Sequence, residues 1–223
     1  MTITYAKHLL VMDVSENQIP VLIIEHPGIY SDFIESFFQQ CEGEEGEIII
    51  SDRGKNLKMS KSALIVLDYF SLNFNNRQIQ TRLYQQLKSA GAELSIQKDK
   101  FTHQGIDLIE NVFSISRFDH IEYNLELDWA DIFKLYQVRV EADYDSIQEK
   151  LVSFLRICAE LLDLKLVAFV NLKAYVSEDD LLEIYRMAGY LKVNLLLIES
   201  IETYSHPMEK YFIIDKDQCL IIK

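Results

Sequence analysis

Residues 164–199 read LKLVAFVNLKAYVSEDDLLEIYRMAGYLKVNLLLIE. Two almost wholly apolar runs, Leu164–Asn171 and Val193–Glu199, flank a segment whose apolar residues recur at helical spacing. Runs with no polar alternate fit strands covered on both faces. Ser177 is placed to cap the helix between them, which the pattern carries through Tyr190. Strand, helix and strand this closely spaced require a right-handed crossover and parallel neighbours, so the segment decides for an α/β fold with a mostly parallel sheet.

Working toward the C-terminus, Tyr211–Asp215 and Cys219–Ile222 read as a hairpin around Lys216-Asp217-Gln218. Toward the N-terminus, Asp145–Leu162 is a strongly amphipathic helix with Asp145 as its expected cap, and Val138–Ala142 alternates as a strand does. Val21–Glu25 is a strand ending in the turn His26-Pro27-Gly28. A helix follows, with Ser31 as cap and Ile34, Phe37, Phe38 and Cys41 as its stripe; Glu47–Ser51 and Ala63–Leu67 are two further strands.

Strand signals vanish between about 72 and 137. Asn75–Ala90 is helical, with Ile79, Leu83 and Leu87 as a narrow face and Gly91 as its stop; residues 104–137 are helical on either side of an acidic break. The expected organisation is an α/β head built from residues 1–70 and 138–223, interrupted by an all-helical insertion over 71–137.

The 223 residues are 49% hydrophobic, enough for a large core, which excludes disorder for most of the chain. The longest apolar runs fall far short of the roughly 20 residues that span a bilayer. Cys41, Cys158 and Cys219 are odd in number and never at CxxC spacing, and each sits in apolar company, so they read as buried thiols in a reducing cytoplasm. The glycines at 28, 43, 46, 54, 91, 105 and 189 form neither GxxxxGK[ST] nor GxGxxG, which argues against a nucleotide held on a phosphate loop. His8, His26, His103, His120 and His206 have no zinc spacing, and GxSxG does not occur.

The net charge of -13 disfavours nucleic acid as a partner, but the average conceals a segregation. Residues 51–100 hold nine basic and four acidic side chains, whereas residues 1–50 hold one and nine. Arg53, Lys55, Lys58 and Lys61 crowd one turn-rich connection that reads as a solvent-facing hairpin, and Arg77, Arg82 and Lys88 follow on the next helix. This pattern suits phosphate contact without base reading; it equally suits a face that meets acidic partners in an assembly. The stretch from Asp119 to Asp131 gathers oxygen donors that suit calcium or magnesium, or else forms a solvated acidic loop, since no glycine fixes a metal-loop turn.

The residues 165–171, Tyr175, Ser177-Glu178-Asp179-Asp180, 193–199 and the 211–215 strand, in this order and spacing, resemble the Csn-two family of type II-A CRISPR-associated proteins. Ala63–Asp68 with Asn73-Phe74-Asn75-Asn76 is similar to that family's entry into its helical leg, and Val138-Arg139-Val140-Glu141 to its return strand. The resemblance implies a head like a P-loop fold without the phosphate-binding loop, and no catalytic activity. It implies a homotetrameric ring, organised by calcium, that binds double-stranded DNA ends without sequence preference. It further implies a role in spacer acquisition beside the integrase and effector nuclease of the same locus. By position, it assigns DNA contact to Arg53, Lys55 and Lys58, to which the charge pattern adds Lys61, Arg77, Arg82 and Lys88. It assigns calcium to Glu122, Glu126, Asp128, Asp131 and Glu141. A metal-dependent nuclease using the acidic cluster with Lys134, and a protein-only scaffold, are the alternatives.

Overall fold

The apolar run Leu166–Val170 forms strand β7, and Asn194–Glu199 forms β8, hydrogen-bonded to it in parallel register from Leu166 opposite Asn194 to Val170 opposite Ile198. Between them lies helix α7, Glu178–Leu191, capped by the Ser177 hydroxyl, which accepts the Asp180 N–H. The protein is described by a computed structural model over residues 1–15, 18–117 and 120–223.

In chain order the elements are β1 (Thr2–Tyr5), β2 (Leu10–Asp13), β3 (Ile19–Ile24), α1 (Pro27–Glu42), β4 (Ile48–Asp52), β5 (Lys55–Leu57), α2 (Met59–Ser62), β6 (Ala63–Val66), α3 (Arg77–Ala90), α4 (Ser95–Ile115), α5 (Trp129–Leu135), α6 (Ile147–Glu160), β7, α7, β8, β9 (Glu209–Ile214) and β10 (Leu220–Ile222). Six strands make a sheet in the order β10-β9-β3-β8-β7-β6, parallel except for β10. Four more make a wholly antiparallel sheet, β2-β1-β4-β5. The mixed α/β class follows, with a second sheet that the periodicity of the first twenty residues did not announce.

The chain divides into two units, residues 1–72 with 142–223, and residues 73–141. In the first unit, Phe33 and Phe37 of α1 are fully buried between the sheets, against Ile3, Leu10, Ile48 and Ile50 from one and Leu22, Leu166, Ala168 and Leu196 from the other. Each such phenylalanine contributes up to about 3 kcal/mol by leaving water. The alternate residues Val21, Val167, Phe169 and Leu195 are also buried, on the opposite face of the parallel sheet, as strand periodicity requires.

In the second unit the described residues bury little: Phe74, Ile79, Gly91 and Thr102. Trp129 stacks on Phe133 at 5.7 Å and lies against Gly91, where a Cβ would stand 2.9 Å from the indole. The Asn75 side-chain amide donates to the Val140 carbonyl and accepts the Val140 N–H, closing this unit's two ends on each other.

Several expectations are corrected. Helix α1 begins at Pro27 and is capped by His26, whose Nδ1 accepts the Gly28 and Ile29 N–H groups; Ser31 lies inside it, because Pro27 occupies the first helical position. Phe38, assigned to its buried stripe, is exposed. Ser146, not Asp145, caps α6. Residues 138–142 are not a strand: Val140 bonds Asn75, so its backbone groups are not available to a ladder. Gly91 does cap the C-terminus of α3, as expected, and a 3-10 turn over Gly91–Leu94 then leads into α4. Cys158 is buried, Cys41 half-buried and Cys219 exposed on the last hairpin. No helix among the described residues is long and apolar enough to cross a membrane.

Candidate nucleic-acid interface

The basic connection is a tight hairpin. Strands β4 and β5 pair Ile50 with Leu57, Ser51 with Asn56 and Asp52 with Lys55, and the turn is Arg53-Gly54, both at positive φ (49° and 75°). Two central residues of that kind are the type I′ turn, whose twist matches that of the strands it joins. Ile50 is fully buried and holds the base of the hairpin in the core; Met59, in the one turn of α2, anchors the chain on its far side. Arg53, Lys55 and Lys58 between these anchors, and Lys61 just past the second, are all exposed, and none forms an ion pair among the described residues. Lys58 is the N-cap residue of α2, and its carbonyl accepts the Lys61 N–H. Four free cations are thus fixed on a rigid base within nine residues of chain.

In the helical unit the expected cations behave differently from one another. Arg77 and Arg82 are exposed and unpaired among the described residues, but five residues apart they point about 140° apart around the helix axis. Lys88 is not free: its ammonium lies 2.8 Å from Asp128. A residue assigned to DNA and a residue assigned to calcium therefore bind each other, a pairing across 40 residues that only the packing of α3 beside α5 creates. Asp128 also caps α5, accepting the Trp129 N–H, while Asp131 accepts the Asp128 N–H and lies 3.4 Å from Lys134. The Lys88 ammonium and the Trp129 N–H hold the Asp128 carboxyl below the usual range.

Glu122, Glu126 and Glu141 are exposed, and Asp119 lies outside the described residues. Lys98, which the sequence reading did not single out, donates to the Leu127 carbonyl at 3.1 Å and lines a cleft of about 640 Å³ with His103, Asn124, Glu126 and Asp128. Among the described residues no three of His, Cys, Asp and Glu converge where they could hold a metal ion. The described donors of one chain do not by themselves fit calcium: Asp128 and Asp131 are committed to caps and lysines, and no three of the set converge.

The most buried charges lie elsewhere, in the α/β unit. Lys173 and Glu209 pair at 2.8 Å with side chains 1% and 0% exposed. The ammonium also donates to the Tyr204 carbonyl and the Tyr211 hydroxyl, and Glu209 accepts from Tyr185 and from the His206 N–H. Nearby Glu199 is buried and accepts the Lys173 N–H; burial pushes its carboxyl up to about 7 against that bond and the lysine charge. No motif of spacing signals this cluster, because its members come from four separated segments.

The family profile of the CRISPR-associated protein (Cas_Csn2) matches residues 40–218, from the last turn of α1 to the turn before β10. The chain belongs to this family. A relative from Streptococcus agalactiae, CRISPR-associated protein Csn2, is 24% identical over 206 residues, covering 90% of this chain and 89% of that protein. The Csn2 profile spans the basic hairpin, the helical unit and the buried Lys173–Glu209 cluster, and leaves out strands β1 to β3. Membership makes this a CRISPR-associated protein, consistent with a part in adaptation.

Proposed function

We propose that the chain is a non-catalytic subunit that binds double-stranded DNA without reading its sequence, during CRISPR spacer acquisition. The observation that carries the reading is the quartet Arg53, Lys55, Lys58 and Lys61: exposed, without a carboxylate partner among the described residues and rigidly based, on a chain of net charge -13. Cations with no carboxylate partner of their own keep their donors available to an anion from outside, and phosphate oxygens are a partner they fit. The head is taken as a P-loop-like fold that has lost its loop. What supports this is His26, whose Nδ1 occupies the N–H groups at the start of α1 that a phosphate would otherwise take.

A homotetrameric ring, with the cations lining its interior, is the assembly proposed. It is supported by the helical unit's thin core and by Leu108, Val112 and Ile115, exposed along one side of α4. Calcium as organiser is a proposal about that assembly alone. Carboxylates from at least two copies would have to meet around the ion, and no step of DNA binding passes through it. The integrase and effector nuclease of the locus are the proposed protein partners. The test is salt-titrated binding to linear and closed circular duplex of one sequence, with calcium and with chelator. Binding confined to linear duplex supports a threaded ring; equal binding removes the ring; no binding to either overturns the reading.

A further inference from the structure

Arg53 stands at the outermost point of the hairpin, one residue beyond the last cross-strand pair, Asp52 with Lys55. A Cβ built on its neighbour Gly54 would meet nothing within 4 Å, and residues 52–56 are all exposed, so the tip faces solvent. Arg53 is a non-glycine residue at φ 49°, in a turn whose low-strain occupant is asparagine, aspartate or glycine. The arginine forms no ion pair among the described residues, which leaves its guanidinium available to a partner outside the chain. Asp52, exposed and in no ion pair among the described residues, would be repelled by phosphates if the whole ribbon entered a groove. Only the tip side chain can enter.

We propose that Arg53 inserts into the minor groove of the bound duplex while Lys55 and Lys58 contact the flanking phosphates, so that binding favours narrow, A·T-rich grooves. This rests on the DNA-binding reading above. A guanidinium is weakly hydrated and loses water at lower cost than an ammonium, and the narrow groove of an A-tract carries the deeper negative potential. Selection by groove width reads shape rather than base edges, so it adds a preference without adding a recognition sequence.

The test is fluorescence anisotropy of the full-length chain with two linear duplexes of equal length, one A-tract-rich and one G·C-rich, at fixed salt. It is repeated with netropsin, which fills A·T minor grooves, and with Arg53→Lys and Arg53→Asn; asparagine suits the turn, so folding is preserved. The expected result is A-tract affinity higher on the order of fivefold, displacement by netropsin, and a ratio that falls toward one in both variants. Equal wild-type affinity for the two duplexes, or variants that weaken both by one common factor, would overturn the insertion while leaving DNA binding intact. Wild-type protein that binds neither duplex at low salt would overturn the DNA reading and the insertion with it.

Discussion

Replacing Lys173 by methionine takes a fully buried ammonium away from Glu209, which lies 2.8 Å from it with no exposed side-chain surface. All three ammonium protons are used, on Glu209, the Tyr204 carbonyl and the Tyr211 hydroxyl. Burial by itself would raise the Glu209 carboxyl, but Lys173 and the Tyr185 and Tyr211 hydroxyls hold it below the usual range. In Lys173→Met the carboxylate keeps only neutral donors. Breaking one side of a buried pair costs about 3–5 kcal/mol, whereas replacing both sides by neutral groups costs much less. Lys173→Met/Glu209→Gln is therefore expected to recover about 2 kcal/mol or more relative to the sum of the single variants. The assay is urea unfolding followed by far-UV circular dichroism, because the sole tryptophan, Trp129, sits in the other unit and reports on that one. A single variant costing less than about 1 kcal/mol, or strictly additive variants, would refute the claim that the two buried charges stabilise each other.

The Glu199 carboxyl, pushed up to about 7 by burial, binds its proton more tightly in the folded than in the unfolded chain. Its contribution is most favourable at low pH and is lost as pH rises to about 7, a change on the order of 3 kcal/mol. Urea midpoints of Glu199→Gln should fall less than those of wild type between about pH 5 and pH 7.5, and parallel curves would count against the buried carboxyl. Gly91→Ala places a Cβ 2.9 Å from the Trp129 ring and should cost about 1–3 kcal/mol in the helical unit, with a shifted tryptophan emission; an unchanged spectrum contradicts the contact. Lys55→Glu with Lys58→Glu should abolish binding at moderate salt. Neutralising the same two residues instead should reduce the slope of log affinity against log salt by about 1.8 per contacting chain, and an unchanged slope would place the phosphate contacts elsewhere.

The parallel sheet was legible because its strands carry nearly unbroken apolar runs. Leu166–Val170 and Asn194–Glu199 are buried on both faces, so composition alone marks them, and Ser177 marks the helix start between them. The antiparallel sheet was not. Thr2–Tyr5 and Leu10–Asp13 are four residues each, too short for periodicity to mark them, and become strands by pairing with each other and, through Thr2–Tyr5, with Ile48–Asp52. Val138–Ala142 alternates like a strand, yet Asn75, 65 residues upstream, takes both backbone groups of Val140.

By itself the sequence determined the α/β class, the basic hairpin and the helical interruption, because each rests on periodicity or composition within a few neighbouring residues. Only the tertiary structure decided which charges are free. It joined Lys88 to Asp128 and Lys173 to Glu209 across 40 and 36 residues, and left Arg53, Lys55, Lys58 and Lys61 without an ion pair among the described residues. The physical reason is that an ion pair depends on separation in space, and separation along the chain does not fix it until the helices and sheets have packed.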